Sequence, residues 1–359
     1  MKMKEYEAKE ILSKAGIRIP RGLHIKKGVE FMVTPAIREA VVKAQVEVAG
    51  RGKAGGILMA EYDQIPKTVE QLFNAEIKGV PVEEILIEEK LNIQHEYYLS
   101  ITIDRSKKAP VILFTTEGGV DIEEVAQKNP DAIRKAMVHP LLSTIPGYTL
   151  RYLLNGAPKE IGQVIQKLYT VFMTQDAILA EINPLVMTPD GLYAADGKII
   201  LDDNALARHG ITENRDLSER ERQADAYGFS FVELSGNIGV IGNGAGLTMA
   251  TVDLINNLGG KPANFLDVGG GADRVRVAHA VRLLGKMPDV KVIIVNLLGG
   301  ITRCDEVAAG IIEAGVGQKI IVRLAGTNET EGKALLSSKG YLMLDTMEEA
   351  VKAAVEAAS

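Results

Sequence analysis

Two spacings of apolar residues share the N-terminal part of the chain. Met3, Ala8, Ile11, Leu12 and Ala15 recur at helical intervals, and Gly16 supplies a stop signal. Ile17 to Ile19 is short and extended and ends at Pro20. Residues 40–48 are rich in strand formers and lead into the loop Gly50-Arg51-Gly52-Lys53-Ala54-Gly55-Gly56. The pattern then predicts a helix over 68–78 and strands over 84–88, 97–104 and 110–115, with helices between 121 and 138 and between 159 and 174. Strands over 177–187 and 192–201 flank Thr188-Pro189-Asp190-Gly191, a strong hairpin turn. Residues 202–228 are polar and read as a surface helix plus linker.

From Gly236 the pattern changes. Short apolar runs at 238–241, 264–268, 290–298 and 319–324 alternate with helical spacings at 247–258, 275–284, 305–314 and 329–337. Apolar strands between helices predict a parallel sheet covered on both faces. Three of the strand ends run into glycine-rich turns, where open α/β sheets bind ligands. The expected organisation is therefore α/β, with one domain over 1–228 and a second over 229–359.

Composition narrows the function classes. With 46% hydrophobic residues the chain can bury more than one core. No apolar run approaches the length of a membrane span, and the charged start Met1-Lys2-Met3-Lys4-Glu5 does not lead into a signal segment. The formal net charge is −6, Trp is absent and no basic stripe occurs, so neither nucleic acid nor a membrane is expected as a partner. Cys304 is the only cysteine, which fits a reducing, cytoplasmic compartment.

Five constellations could carry chemistry. Lys43 and the loop Gly50 to Gly56 offer backbone N–H groups and positive charge to phosphates, although the Walker A spacing is absent and a surface loop explains the residues equally. Glu88, with Glu96 eight residues on, could accept from the hydroxyl or amino groups of a nucleotide; a solvated acidic strand end is the simpler reading. Glu181-Ile182-Asn183-Pro184 and Asp196-Gly197-Lys198 lie on the two hairpin strands. If Thr188 pairs with Gly191, Asn183 lies opposite Asp196, and the two oxygen donors suit Mg²⁺; a polar cross-strand pair is the alternative, and a one-residue slip would separate them. Gly242-Asn243-Gly244-Ala245-Gly246 opens a helix whose N-terminus favours an anion, but it fits the dinucleotide pattern G-x-G-x-x-G imperfectly. Finally, Gly299-Gly300-Ile301-Thr302-Arg303-Cys304-Asp305 leads from a strand into a helix, with Cys304 better read as packing than as a nucleophile. None of His24, His95, His139, His209 and His279 sits in a phosphate loop or at metal-ligand spacing.

In this order these segments resemble the β subunit of the succinate–CoA ligases over nearly the whole chain. The most specific pieces are Lys43-Ala44-Gln45-Val46 with Gly50 to Gly56, Glu181-Ile182-Asn183-Pro184-Leu185, Gly236-Asn237-Ile238-Gly239 with Asn243 to Gly246, 262–271, and Gly299 to Asp305. The resemblance implies an N-terminal ATP-grasp domain followed by a flavodoxin-like CoA-ligase domain. It implies reversible formation of succinyl-CoA from succinate and CoA, coupled to ATP or GTP through a phosphohistidine on an α subunit, in an αβ or α2β2 assembly. By motif, Lys43, Gly50, Arg51 and Gly52 would hold nucleotide phosphates, Glu88 and the backbone near Leu91 the base, and Glu96 the ribose. Asn183 and Asp196 would bind Mg²⁺, and Glu181 would orient the incoming histidine. Asn243, Gly300, Ile301 and Thr302 would face the carboxylate substrate. Gly244 and Ala245 would receive the phosphoryl group at a helix N-terminus.

The chain departs from the family pattern at Ala49, where a glycine is expected, over a short stretch at 25–40, and at Thr302, where an aliphatic residue is common. A polar Thr302 raises malate–CoA ligase as an alternative. A dinucleotide-dependent oxidoreductase built on the Gly242 loop and a non-catalytic assembly subunit are the remaining rivals.

Overall fold

A computed structural model describes the chain except Glu47, Ala49, Asp121 and Glu213. The departure at Ala49 and the expected start of a helix at Asp121 therefore lie outside the described residues. The chain forms two compact units, Met1–Asp216 and Leu217–Ser359. Helix Glu219–Ala226 belongs to the second because it packs on strand Ser230–Glu233 and helix Arg274–Gly285. It had been expected on the N-terminal side of a boundary at 228.

Two main sheets build the first unit, beside a short pair of strands, Glu76–Ile77 and Val80–Pro81. One has four antiparallel strands in the order Gly22–Lys26, Glu84–Glu89, Glu39–Ala44, Ile57–Glu61, with helix Ile65–Phe73 against it. Strand side chains alternate between faces. Ala40, Val42, Ala44, Ile85 and Ile87 therefore enter the core under that helix. Lys43 and Glu88, at the intervening positions, share the opposite face and are also buried. The second sheet has six strands centred on His95–Asp104 and Ala177–Thr188, and helix Glu160–Thr174 covers it through Leu168 and Phe172. The N-terminal helix Glu5–Lys14 lies on strand Gly197–Leu201. A Cβ on Gly197 would come within 2.9 Å of Leu12, so the glycine allows the close approach.

The hairpin closes with Thr188 opposite Gly191, as the turn chemistry predicts. The same register continues through Leu185–Ala194 and Ile182–Gly197. Asn183 and Asp196 fall in the gap between these pairs, where the ladder opens and the Asn183–Pro184 peptide is cis. The expected helix between 121 and 138 is shorter than predicted. It spans Ile122–Lys128, and Arg134–Met137 is an edge strand paired with 111–114.

The second unit is a six-stranded sheet. Asn264–Asp267, Ile238–Gly242, Val292–Gly299, Lys319–Gly326 and Leu342–Met343 run parallel, and Ser230–Glu233 pairs antiparallel at one edge. Separate apolar clusters lie on its two faces, which accounts for the uninterrupted apolar strands. Glycines let the strand ends meet other elements. A Cβ on Gly242 would lie 2.2 Å from Thr248 Oγ1, and one on Gly326 would lie 1.9 Å from Gly299 O.

Candidate functional site

In the first unit a cleft of about 300 Å³ opens between the two sheets. Gly50, Arg51 and Gly52 line it from the glycine-rich loop, Glu181, Asn183 and Asp196 from the hairpin, and Glu5 from the N-terminal helix. Gly50 and Gly55 adopt φ of +69° and +80°, a conformation that glycine takes without a Cβ penalty. Bonds from Gly56 N–H to Arg51 O (2.8 Å) and from Ala44 N–H to Gly56 O (2.8 Å) anchor the loop to its strand.

A charge cluster runs from the lining inward, through Glu5, Arg51 and the partly exposed Asp196 to the buried Lys9, Lys43 and Glu88. Lys43 Nζ donates to Glu5 Oε1 (2.8 Å) and Ala195 O (2.8 Å) and lies 2.7 Å from Glu88 Oε2. Lys9 Nζ donates to both oxygens of Glu88 (2.5 and 2.6 Å) and to Ala195 O (2.8 Å), and lies 3.0 Å from Glu5. Arg51 bonds the other oxygen of Glu5 and lies 3.7 Å from Asp196. Three cations, Lys9, Lys43 and Arg51, thus face three carboxylates, Glu5, Glu88 and Asp196. The arrangement supplies the paired, hydrogen-bonded environment that buried charges require. Burial alone would raise the Glu5 carboxyl, but Lys43, Lys9 and Arg51 outweigh it and hold the group well below the usual carboxylate range. Withdrawal from bulk water, with Glu5 nearby, pushes the Asp196 carboxyl up to about 6.

Glu88 is therefore not the exposed strand end that the sequence suggested. Its carboxylate is fully engaged by two lysines, because strand alternation turns it to the same face as Lys43. Leu91 lines a different recess, together with Arg18, Arg21, Thr188 and Tyr193. Glu96 packs its carboxylate against Gly119, where a Cβ would come within 2.1 Å of Glu96 Oε2. That loop also fixes Asn183, whose Oδ1 accepts from Gly119 N–H (2.9 Å) and whose Nδ2 donates to Val120 O (3.0 Å). Glu181 Oε2 accepts from the buried Tyr98 hydroxyl (3.1 Å), whose oxygen in turn accepts from the Ser100 hydroxyl (2.9 Å).

The residues missed in the sequence are Glu5, Lys9 and Tyr98. The first two did carry a signal. Residues 5, 8, 9 and 12 form one helix face, so two charges sit among Ala8 and Leu12 on the side that packs.

Among the described residues no three His, Cys, Asp or Glu side chains gather as a metal cage. The cleft nevertheless suits Mg²⁺, a hard ion that uses one or two protein oxygens and completes its shell from phosphate and water. One lone pair of Asn183 Oδ1 and the Oδ2 of Asp196 are the donors that fit.

In the second unit three glycine-rich loops meet at the carboxyl ends of the strands. Thr302, only 1% exposed, accepts from Gly271 N–H (3.0 Å) and from Asn243 Nδ2 (3.1 Å). Asn243 also donates to Leu298 O and accepts from Leu298 N–H, both at 2.8 Å. Thr302 thus ties the loops together from inside. Gly300 meets nothing within 4 Å, and Ile301 is 81% exposed. Helix Ala245–Asn257 begins at Gly244 without a capping side chain. Cys304 is buried, and burial pushes its thiol upward, as expected of packing. Four histidines have partners among the described residues: His24 with Glu84 (3.1 Å), His209 with Asp176 (2.9 Å), His139, whose Nδ1 accepts from Leu141 N–H (3.3 Å), and His279 stacked on Tyr227.

A charged cleft between two sheets, joined in sequence to a parallel sheet with open glycine loops, defines an ATP-grasp ligase of the CoA-ligase class. The ATP-grasp domain family matches residues 2–187, and the CoA-ligase family matches 241–357. The chain is 49% identical to the β subunit of ADP-forming succinate–CoA ligase from Methanocaldococcus jannaschii, over 99% of this chain and 100% of that one. It is 45% identical to the GDP-forming β subunit from Thermus thermophilus, over 99% and 98%. Its fold is similar to that of ATP citrate lyase from Methanothrix soehngenii, solved with citrate and coenzyme A (TM-score 0.70, 20% identity, 99% of each chain). The chain belongs to the succinate–CoA ligase β-subunit family, whose members are acid–thiol ligases that form a nucleoside diphosphate. The oxidoreductase alternative falls with that assignment. No helix among the described residues is long and apolar enough to cross a membrane.

Proposed function

We propose that this chain, with an α subunit that carries an active-site histidine, reversibly forms succinyl-CoA from succinate and CoA at the expense of ATP or GTP. The observation that supports it is the convergence of Gly50–Gly52, Arg51, Glu181, Asn183 and Asp196 on one cleft. Loop N–H groups, Arg51 and Lys43 hold the phosphates, and Asn183 and Asp196 hold Mg²⁺, which supplies charge neutralisation at the phosphate oxygens. In the first step the histidine nitrogen attacks the terminal phosphorus, the bond to the leaving diphosphate breaks, and the nucleoside diphosphate departs. Glu181, steered by Tyr98, accepts from the other imidazole N–H, which leaves the attacking nitrogen unprotonated, and stabilises the positive charge that develops on the ring as the N–P bond forms. Positioning and electrostatics account for the rate, as in other phosphoryl transfers.

Glu96 serves the ribose, the base extends out of the cleft to the separate recess lined by Leu91, and Glu88 acts by fixing Lys43. In the second unit Asn243 and the backbone of Gly300 and Ile301 meet the carboxylate. The helix start at Gly244 and Ala245 takes the phosphoryl group. Succinate is favoured over malate, because Thr302 is buried and its oxygen accepts from Gly271 and Asn243 within the loops, so it opens no polar pocket for an extra hydroxyl. With the matching α subunit and γ-labelled nucleotide, label should appear on the α-subunit histidine, and succinate should drive acyl-CoA formation faster than malate. Absence of protein-bound label would refute the proposal; equal turnover of the two acids would refute only the choice of acid.

A further inference from the structure

Lys43 has three ammonium protons, and three oxygens already surround it: Glu5 at 2.8 Å, Glu88 at 2.7 Å and Ala195 O at 2.8 Å. Arg51 is likewise held, by Glu5 and by Ala44 O at 3.2 Å. A phosphate oxygen that approaches Lys43 must therefore share a proton that a carboxylate or the Ala195 carbonyl now uses, and one that approaches Arg51 meets a guanidinium already turned toward Glu5. Glu88 lies behind the cleft and keeps Lys9 on both oxygens. Glu5 lines the cleft itself and spends one oxygen on Lys43 and the other on Arg51. It is the anion that stands between Arg51, which lines the cleft, and Lys43, which lies behind it. Lys9 bonds Glu5, Glu88 and the carbonyl of Ala195, next to Asp196, so it stays behind to balance both glutamates when Lys43 turns outward.

We infer that Glu5 is a positioning residue that occupies Lys43 and Arg51 in place of phosphate and thereby sets nucleotide affinity, with Lys9 as the counter-charge that lets it release them. The inference rests on reading the cleft as the nucleotide site. It has an unusual sign. A merely structural glutamate, when neutralised, would loosen the site and weaken binding; a competitor, when neutralised, strengthens it.

The test is a calorimetric titration of the full chain with Mg-ADP and with adenosine. Glu5→Gln should bind Mg-ADP roughly three- to tenfold more tightly than the unsubstituted chain, with adenosine unchanged, because only the phosphates compete with the carboxylate. Lys9→Met should bind Mg-ADP about tenfold more weakly, since the unbalanced glutamates grip Lys43 harder, and Lys9→Arg should restore most of the loss. The double variant should bind more tightly than Lys9→Met alone. Weaker or unchanged Mg-ADP binding by folded Glu5→Gln overturns the inference. If that variant does not fold, unchanged binding by Lys9→Met overturns it. Lys43→Met separates the two levels of the argument. If it too leaves Mg-ADP binding untouched, the nucleotide-site reading itself fails; if it weakens binding while Glu5→Gln does not strengthen it, only the role of Glu5 fails.

Discussion

In the first unit the side chains behind the cleft are charged and buried, and each is held by at least one partner of opposite sign. In the second unit the strand ends present backbone N–H groups, held in place by two neutral side chains, Asn243 and Thr302. The first arrangement gives strong fields and a fixed geometry, but every ion in it depends on its neighbours. The second leaves exposed backbone that a partner or a carboxylate can approach, and its supports carry no charge. Substitutions in the two regions should therefore fail differently, and the following experiments sharpen or break that contrast.

The largest effect is expected at Asp196. Asp196→Ala should lower phosphorylation of the α-subunit histidine at least about a hundredfold while the chain stays folded by circular dichroism. Near-normal labelling would revive a non-catalytic role for the chain. Lys9→Met should remove about 3 kcal/mol of stability in a urea titration, because it leaves the buried Glu5 and Glu88 carboxylates to share Lys43, with Arg51 at Glu5 only. A loss below about 1 kcal/mol would show that the cluster relaxes into water.

Thr302→Val should cost only about 1–3 kcal/mol, from the Gly271 N–H left without its acceptor. It should raise the KM for succinate several-fold and leave the nucleotide KM unchanged, and Thr302→Ser should behave as the native chain does. A matching rise in nucleotide KM would mean that the loop contacts are not local.

The smallest effect is in pH dependence. Glu5 is depressed in the folded chain, so its contribution is present above the ordinary carboxylate pKa and is lost as pH falls below it. Between about pH 5 and 2 the stability of the native chain should therefore fall more steeply than that of Glu5→Gln. Parallel curves would contradict the charge assignment.

Local chemistry made much of this architecture readable. The Thr188-Pro189-Asp190-Gly191 turn set a register that was correct to the residue, and it brought Asn183 and Asp196 to one cleft. The parallel sheet of the second unit followed from apolar strands between helices. Long-range burial was harder to read. Glu5 and Lys9 look like ordinary surface charges until strands distant in sequence supply Lys43, Glu88 and Ala195 around them. Glu88 reads as a solvated strand end for the same reason, although it is buried. The inward turn of the Thr302 side chain was not legible either, because the glycines around it say nothing about which loops will meet. The strand at 134–137 lies at a sheet edge, where its alternation of half-buried and exposed residues is weak.

The most direct test of the whole account is a crystal structure of the chain with Mg-ADP. It should show the metal between Asn183 and Asp196, the phosphates over Gly50–Gly52, and Arg51 turned from Glu5 to the nucleotide. Nucleotide bound instead at the Gly242–Gly246 loop, with the Lys43–Glu5–Arg51 contacts intact and the cleft empty, would contradict it.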